Sequence, residues 1–138
     1  MGSKKEAFRL IDANFNRAKE GLRVCEDLFR FVYDDARLTR AFKKLRHDCS
    51  KILFHFPVPY RVLVESRNSA GDTGKKSVIL EKKKIAWKDL VMSNMKRSEE
   101  ALRVLEEASK IVSPKTSGKF QALRFDLYEL EKKVIKKL

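Results

Sequence analysis

Ala13-Asn14-Phe15-Asn16-Arg17-Ala18-Lys19-Glu20-Gly21-Leu22-Arg23-Val24-Cys25-Glu26-Asp27 aligns without a gap on Ser93-Asn94-Met95-Lys96-Arg97-Ser98-Glu99-Glu100-Ala101-Leu102-Arg103-Val104-Leu105-Glu106-Glu107. A second match follows in the same order: Phe42-Lys43-Lys44-Leu45-Arg46-His47-Asp48 falls on Phe120-Gln121-Ala122-Leu123-Arg124-Phe125-Asp126. Two segments repeated in one order mean that a whole supersecondary unit is duplicated, and a duplication governs the architecture before any single element is assigned.

The first segment of each copy carries its small and apolar residues three to five positions apart: Ile11, Phe15, Ala18, Leu22, Cys25 and Phe29, then Leu90, Met95, Ser98, Leu102 and Leu105. That spacing predicts an amphipathic helix. The second segments keep a helical period through Phe42, Leu45, Cys49, Ile52 and Leu53, and through Phe120, Leu123, Leu127, Leu130 and Val134. Asp34-Asp35 and Ser113-Pro114 mark the turns between them. The expected fold class is therefore mainly α, a pseudo-twofold duplicated helical hairpin forming a four-helix bundle. Cys25 and Cys49 fall on Leu105 and Leu127, which makes core packing the reading for both thiols. Two cysteines this far apart form neither a metal knuckle nor a disulfide framework.

At 138 residues the chain has the size of one domain. The first helical hairpin is expected over about 5–56, an insert over about 57–84 and the second hairpin over about 85–138. The insert has no counterpart in the repeat. Val62 and Val64, then Val78 and Leu80, alternate like short strands around Ser66 to Gly74, so a short β-hairpin or an ordered loop is expected there.

Apolar residues make up 43% of the chain and charged ones 37%, with only 5 Gly and 3 Pro, a balance that favours long exposed helices over sheet or disorder. A formal net charge of +13 brings phosphate-bearing partners into consideration. Many lysines stand in runs such as Lys82-Lys83-Lys84, which read as solvated face. Nucleic-acid binding would place arginines outward on one face and lose affinity steeply with salt, whereas the repeat suggests arginines directed inward. No run approaches the ~20 apolar residues of a membrane span, and the first residues lack a signal-peptide core, so a cytoplasmic protein with no membrane partner is expected.

Residues three or four apart share a helix face. Asn14 stands among Leu10, Ala18 and Gly21, and Arg17 among Gly21, Val24 and Leu28, within the apolar stripe. Asn94 and Arg97 repeat this; Arg46 stands beside Phe42, Cys49 and Leu53, and Arg124 beside Phe120 and Leu127. Inward arginines need carboxylates or a bound anion, because an unpaired buried charge costs several kcal/mol or more. Glu20, Glu26, Glu100 and Glu106 are available for pairing. The other reading is an anionic, phosphorylated ligand gripped by the planar guanidinium forks, with Gly21 and Ala101 leaving room for it. In the insert, Arg67, Gly71, Asp72 and Gly74 either form a phosphate nest with a carboxylate for Mg²⁺ or an ordinary turn. The insert is the segment that lacks a counterpart in the repeat. Asp72 is its carboxylate close to glycines, able to hold Mg²⁺ or take an acceptor proton, with Arg67 neutralising charge.

Ile11 to Val24 with Glu26-Asp27, Leu45-Arg46-His47-Asp48, Arg67 to Gly74 and Asn94 to Glu107 together resemble the small hydroxymethylpyrimidine phosphate kinases of thiamin biosynthesis. That domain is also found fused ahead of thiamin phosphate synthase. Asn68 and Thr73 depart from the family's expected Asp and Val. The resemblance implies transfer of the γ-phosphoryl group of ATP, with Mg²⁺, to 4-amino-5-hydroxymethyl-2-methylpyrimidine phosphate, giving the diphosphate. It also implies a homo-oligomer or association with thiamin phosphate synthase as partners. The competing reading is a non-catalytic phosphate-ligand-binding or regulatory module beside that synthase. There is no Walker motif and no kinase-type glycine loop.

Overall fold

The structure, a computed structural model, describes residues 4–75 and 85–138. The fold is mainly helical, with α1 over Lys4–Phe31, α2 over Ala36–Phe54, α3 over Tyr60–Glu65, α4 over Trp87–Val112 and α5 over Pro114–Ile135. The punctuation lies at the predicted turns. Asp34 takes the left-handed conformation at φ 50°, which a short polar residue tolerates, and Asp35 then caps α2 by accepting from Leu38 N at 3.0 Å. Ser113 caps α5, whose first residue is Pro114. Asp89 starts α4 by accepting from Ala86 N at 3.1 Å.

One buried apolar cluster draws on all five helices, with Ile11, Leu22, Phe42, Leu63, Leu102 and Leu127 fully enclosed. Helix α1 packs on α2 and α4, α4 on α5, and α2 touches α5. Across the α1–α4 seam Ser98 Oγ donates to Ala18 O at 3.0 Å, and the Cys25 thiol reaches Val91 O at 3.5 Å, so the two helices run antiparallel. The two helices approach closely at Gly21. A Cβ there would stand 2.7 Å from Asn94 O and collide with Ser98 Oγ. The room expected for a ligand at Gly21 is thus occupied by the neighbouring helix, because a missing side chain on a packed stripe admits backbone as readily as a guest. Ala101 is buried as well.

The insert differs from expectation. Val62 and Val64 belong to the one-and-a-half turns of α3 rather than to a strand, and the described residues contain no strand. The run Val62-Leu63-Val64 is continuously apolar, so it never specified a period of two. Pro59 enters at φ −60° and ψ 146° and sets the start of the helix, which buries Leu63 against α1. Val78 and Leu80 lie outside the described residues.

Candidate active site

Four of the predicted site residues converge. Asn14, Arg17, Arg67 and Asp72 line a cavity of about 500 Å³ between the first half of α1 and the segment that follows α3. Its anchor is a residue missed in the sequence: Asp12, 3% exposed, receives Arg67 Nε and, at 2.9 Å, Arg67 Nη2. Arg67 Nη2 also donates to Tyr60 Oη at 3.2 Å. The Asp12 bond and the Tyr60 bond hold the Arg67 guanidinium above its usual range. Asp12 directly precedes the repeated block and its counterpart is Met92, so repeat comparison never drew attention to it; only its place on the buried line beside Ile11 could have done so.

Asp72 is exposed, and its Oδ1 accepts from Gly74 N at 2.9 Å; Asn68 Oδ1 accepts from Gly71 N, also at 2.9 Å. The N–H groups of Gly71 and Gly74 are therefore spent inside the loop, and no described glycine has the positive φ that a nest needs. Of the two readings of this loop, its bonding is that of an ordinary turn, leaving side chains as the cavity's contact groups.

The inward arginines divide. Arg46 is bound to Glu26 (Nε–Oε1 2.9 Å) and Arg124 to Glu106 (Nη2–Oε2 2.9 Å), at repeat-equivalent positions. At these two positions each guanidinium faces a buried acid, the arrangement that the carboxylate reading describes. Arg23 and Arg103 approach the same two glutamates from outside at 3.9 and 3.5 Å. Arg17 and Arg97 are exposed rather than inward, and neither forms an ion pair among the described residues. The buried line of α1 is Ile11-Phe15-Ala18-Leu22-Cys25-Phe29, while Arg17 lies on Leu10-Val24-Phe31, which stays exposed. Periodicity alone admitted both lines. Glu20 and Glu100 are also exposed and support none of these arginines. Asn14 and Asn94 behave alike, each amide donating one turn back, to Leu10 O at 2.9 Å and Leu90 O at 2.8 Å. Asn94, Arg97, Arg46 and Arg124 stand outside the cavity that Asn14 and Arg17 line. Cys25 and Cys49 are buried, and burial pushes both thiols up to about 12, which suits packing and not nucleophilic chemistry.

A buried acidic group that the sequence reading passed over joins α4 to α5. Lys96 Nζ stands 3.1 Å from Glu99 Oε1 and 2.9 Å from Glu131 Oε2, and Glu99 is 3% exposed. Burial and the adjacent Glu131 push the Glu99 carboxyl up to about 7.

The family model that matches residues 9–133 is that of the ThiD2 family. The chain belongs to the ThiD2 family. Thiamine-phosphate synthase of Nostoc punctiforme is 37% identical over 125 residues, covering 90% of this chain and 34% of its own length. The enzyme of the same name from Prochlorococcus marinus is 35% identical over 129 residues, 93% of this chain and 36% of the relative. That of Rhodopirellula baltica is 31% identical over 135 residues, 94% and 36%. The chain thus spans about a third of the length of the curated relatives it matches. Its relatives are enzymes named for thiamin biosynthesis, and the match falls on one part of each. No solved structure matches the chain. No described helix is long and apolar enough to cross a membrane.

Proposed function

We propose that the protein is a phosphotransferase of thiamin biosynthesis, moving the γ-phosphoryl group of ATP to hydroxymethylpyrimidine phosphate, and that its two hairpins form a pseudo-twofold four-helix bundle. The observation that carries the reading is the cavity in which Arg17, Asn14 and Asp72 face an arginine braced by a buried aspartate. Phosphoryl transfer asks the protein mainly for alignment and charge compensation. Arg67 is suited to the transferring group because Asp12 and Tyr60 fix its fork before any ligand arrives. Arg17 has no carboxylate partner among the described residues and is free to meet phosphate oxygens.

The acceptor is a phosphate monoester, whose second ionisation lies near about 6, so its attacking oxygen needs no strong base at neutral pH. That shifts the use of Asp72 from proton removal to holding Mg²⁺. The donor set suits this, since Asp72 Oδ2 has no hydrogen-bond partner among the described residues and Mg²⁺ is commonly held by one or two carboxylates together with substrate phosphates. Among the described residues no group of three or more His, Cys, Asp or Glu forms a ready cage. Mg²⁺ at Asp72 would neutralise charge on the donor phosphates.

The test is the purified chain with ATP, Mg²⁺ and the pyrimidine monophosphate, following ADP and the pyrimidine diphosphate over time. Both products rising together in proportion to protein supports the kinase. Saturable binding of the monophosphate without ADP would favour the non-catalytic module beside thiamin phosphate synthase.

A further inference from the structure

Among the places where the two repeats differ, one is an ion cluster. In the second copy Lys96, Glu99 and Glu131 close on one another between α4 and α5. Their counterparts in the first copy are Asn16, Lys19 and Leu53. No acid is left there, and in place of an ion cluster the first copy has a cavity of about 560 Å³ lined by all three. Its outer wall is aromatic: Phe54 at the end of α2, 84% exposed, then Phe56, then Tyr60 from the unrepeated insert, 49% exposed. Among the described residues Lys19 is the only charged one lining it; its Nζ lies 5.3 Å from the Phe15 ring, and it has no carboxylate partner among them.

This cavity is not isolated from the one holding Arg67. Tyr60 lines the aromatic cleft, and its hydroxyl receives Arg67 Nη2, which lines the phosphate cavity. The Tyr60–Arg67–Asp12 chain is therefore a shared wall, with a flat aromatic surface on one side and a braced cation on the other. Phe54 and Tyr60 line the same cleft, so their exposed rings form a joint aromatic surface rather than a single outward side chain. A cleft with aromatic faces and one cation selects a flat ring carrying negative charge.

We propose that this cleft seats the ring of the phosphoryl acceptor, a planar nitrogen heterocycle bearing a monophosphate. The ring rests on Phe54 and Tyr60, Lys19 compensates the monophosphate, and the wall at Tyr60 presents that phosphate toward Arg67. The proposal rests on the kinase reading for the word acceptor, but the cleft itself is defined by the asymmetry between the copies.

Calorimetric titration of the full chain with the pyrimidine monophosphate, and separately with ATP and Mg²⁺, tests it, alongside the KM of each substrate. Phe54→Ala and Lys19→Ala should each weaken the pyrimidine monophosphate about tenfold, the size of a lost ring–aromatic contact, while leaving ATP affinity unchanged. Lys96→Ala, at the position equivalent to Asn16, should change neither. Phe54 is exposed enough that its removal leaves the fold intact, which a thermal melt verifies. Unaltered monophosphate affinity in both cleft variants would overturn the proposal, as would a loss confined to ATP, which would give the cleft to adenine. Cleft-dependent monophosphate binding without any turnover would support the cleft while ending the kinase reading.

Discussion

Arg67 closes on Asp12 from 55 residues away, and the acid it meets is buried while its own side chain remains 42% exposed. One end of the pair is thus fixed in α1 and the other faces the cavity, so the ion pair acts as a mount. Asp12→Asn keeps the shape and removes the negative charge that Arg67 meets. Turnover in the coupled ADP assay should fall at least about tenfold with KM for ATP raised. The melting temperature should drop only slightly, because a half-exposed arginine can be rehydrated and such pairs are worth about 1 kcal/mol or less. A large loss of stability with normal turnover would make Asp12 structural only.

The helical hairpins and their turns were legible because each depends on local periodicity and short-range caps: the buried line from Ile11 to Phe29, and Asp35 and Ser113 at their helix starts. What periodicity cannot supply is which of two adjacent apolar lines faces the core. That placed Arg17 and Arg97 inward when both are exposed. Nor can it choose a partner for a buried guanidinium, and here Glu26 and Glu106 were among the candidates and took Arg46 and Arg124. Asp12 and Glu99 were illegible for a different reason. Their roles arise from contacts with Arg67 and Glu131 far along the chain, and their repeat counterparts are the unlike residues Met92 and Lys19.

Arg124 is the more enclosed of the repeated arginines, its side chain 8% exposed against 16% for Arg46. Glu106→Ala strands that charge, which should destabilise the fold by about 3–5 kcal/mol, read as a lower urea midpoint with unchanged slope. Glu26→Ala should cost less, because Arg46 has more water to turn to. Replacing both members, Glu106→Leu with Arg124→Met, should recover most of the loss, since the penalty belongs to the unpaired charge rather than to the missing bond. Failure of the double variant to recover would mean that the pair contributes net attraction.

Glu99 carries a pH dependence whose sign follows from its environment. Burial, seconded by Glu131, raises its folded carboxyl to about 7 from an ordinary 4.5, against the opposing pull of Lys96. Between those values the folded state keeps a proton that the unfolded state has released, so stability falls as pH rises through that window and levels off above it. Glu99→Gln, which mimics the protonated acid, should melt close to the wild type near pH 4.5 and above it at pH 8. A wild type that gains stability relative to this variant as pH rises would show that Lys96 outweighs burial and keeps the carboxylate ionised.

Asp72 offers the sharpest separation of chemistry from stability. It is exposed, its Oδ1 is engaged by Gly74 N, and it shares the cavity with Arg67 and Arg17, while contributing nothing to the buried cluster. Asp72→Asn preserves the side-chain oxygen that receives Gly74 N, so the turn survives and the melting temperature should barely move. What it removes is the negative charge on the second oxygen and, under the proposed kinase reading, the hold on Mg²⁺ beside the donor phosphates. Turnover should fall by at least about 10²-fold, the range for loss of a group acting directly on the reaction. Because the acceptor phosphate is already ionised above about pH 6, the remaining activity should keep the wild-type pH profile and rise with added Mg²⁺, as a weakened metal site requires. An altered pH profile with unchanged Mg²⁺ demand would return Asp72 to the role of proton acceptor, and near-normal turnover would take the metal away from Asp72 altogether.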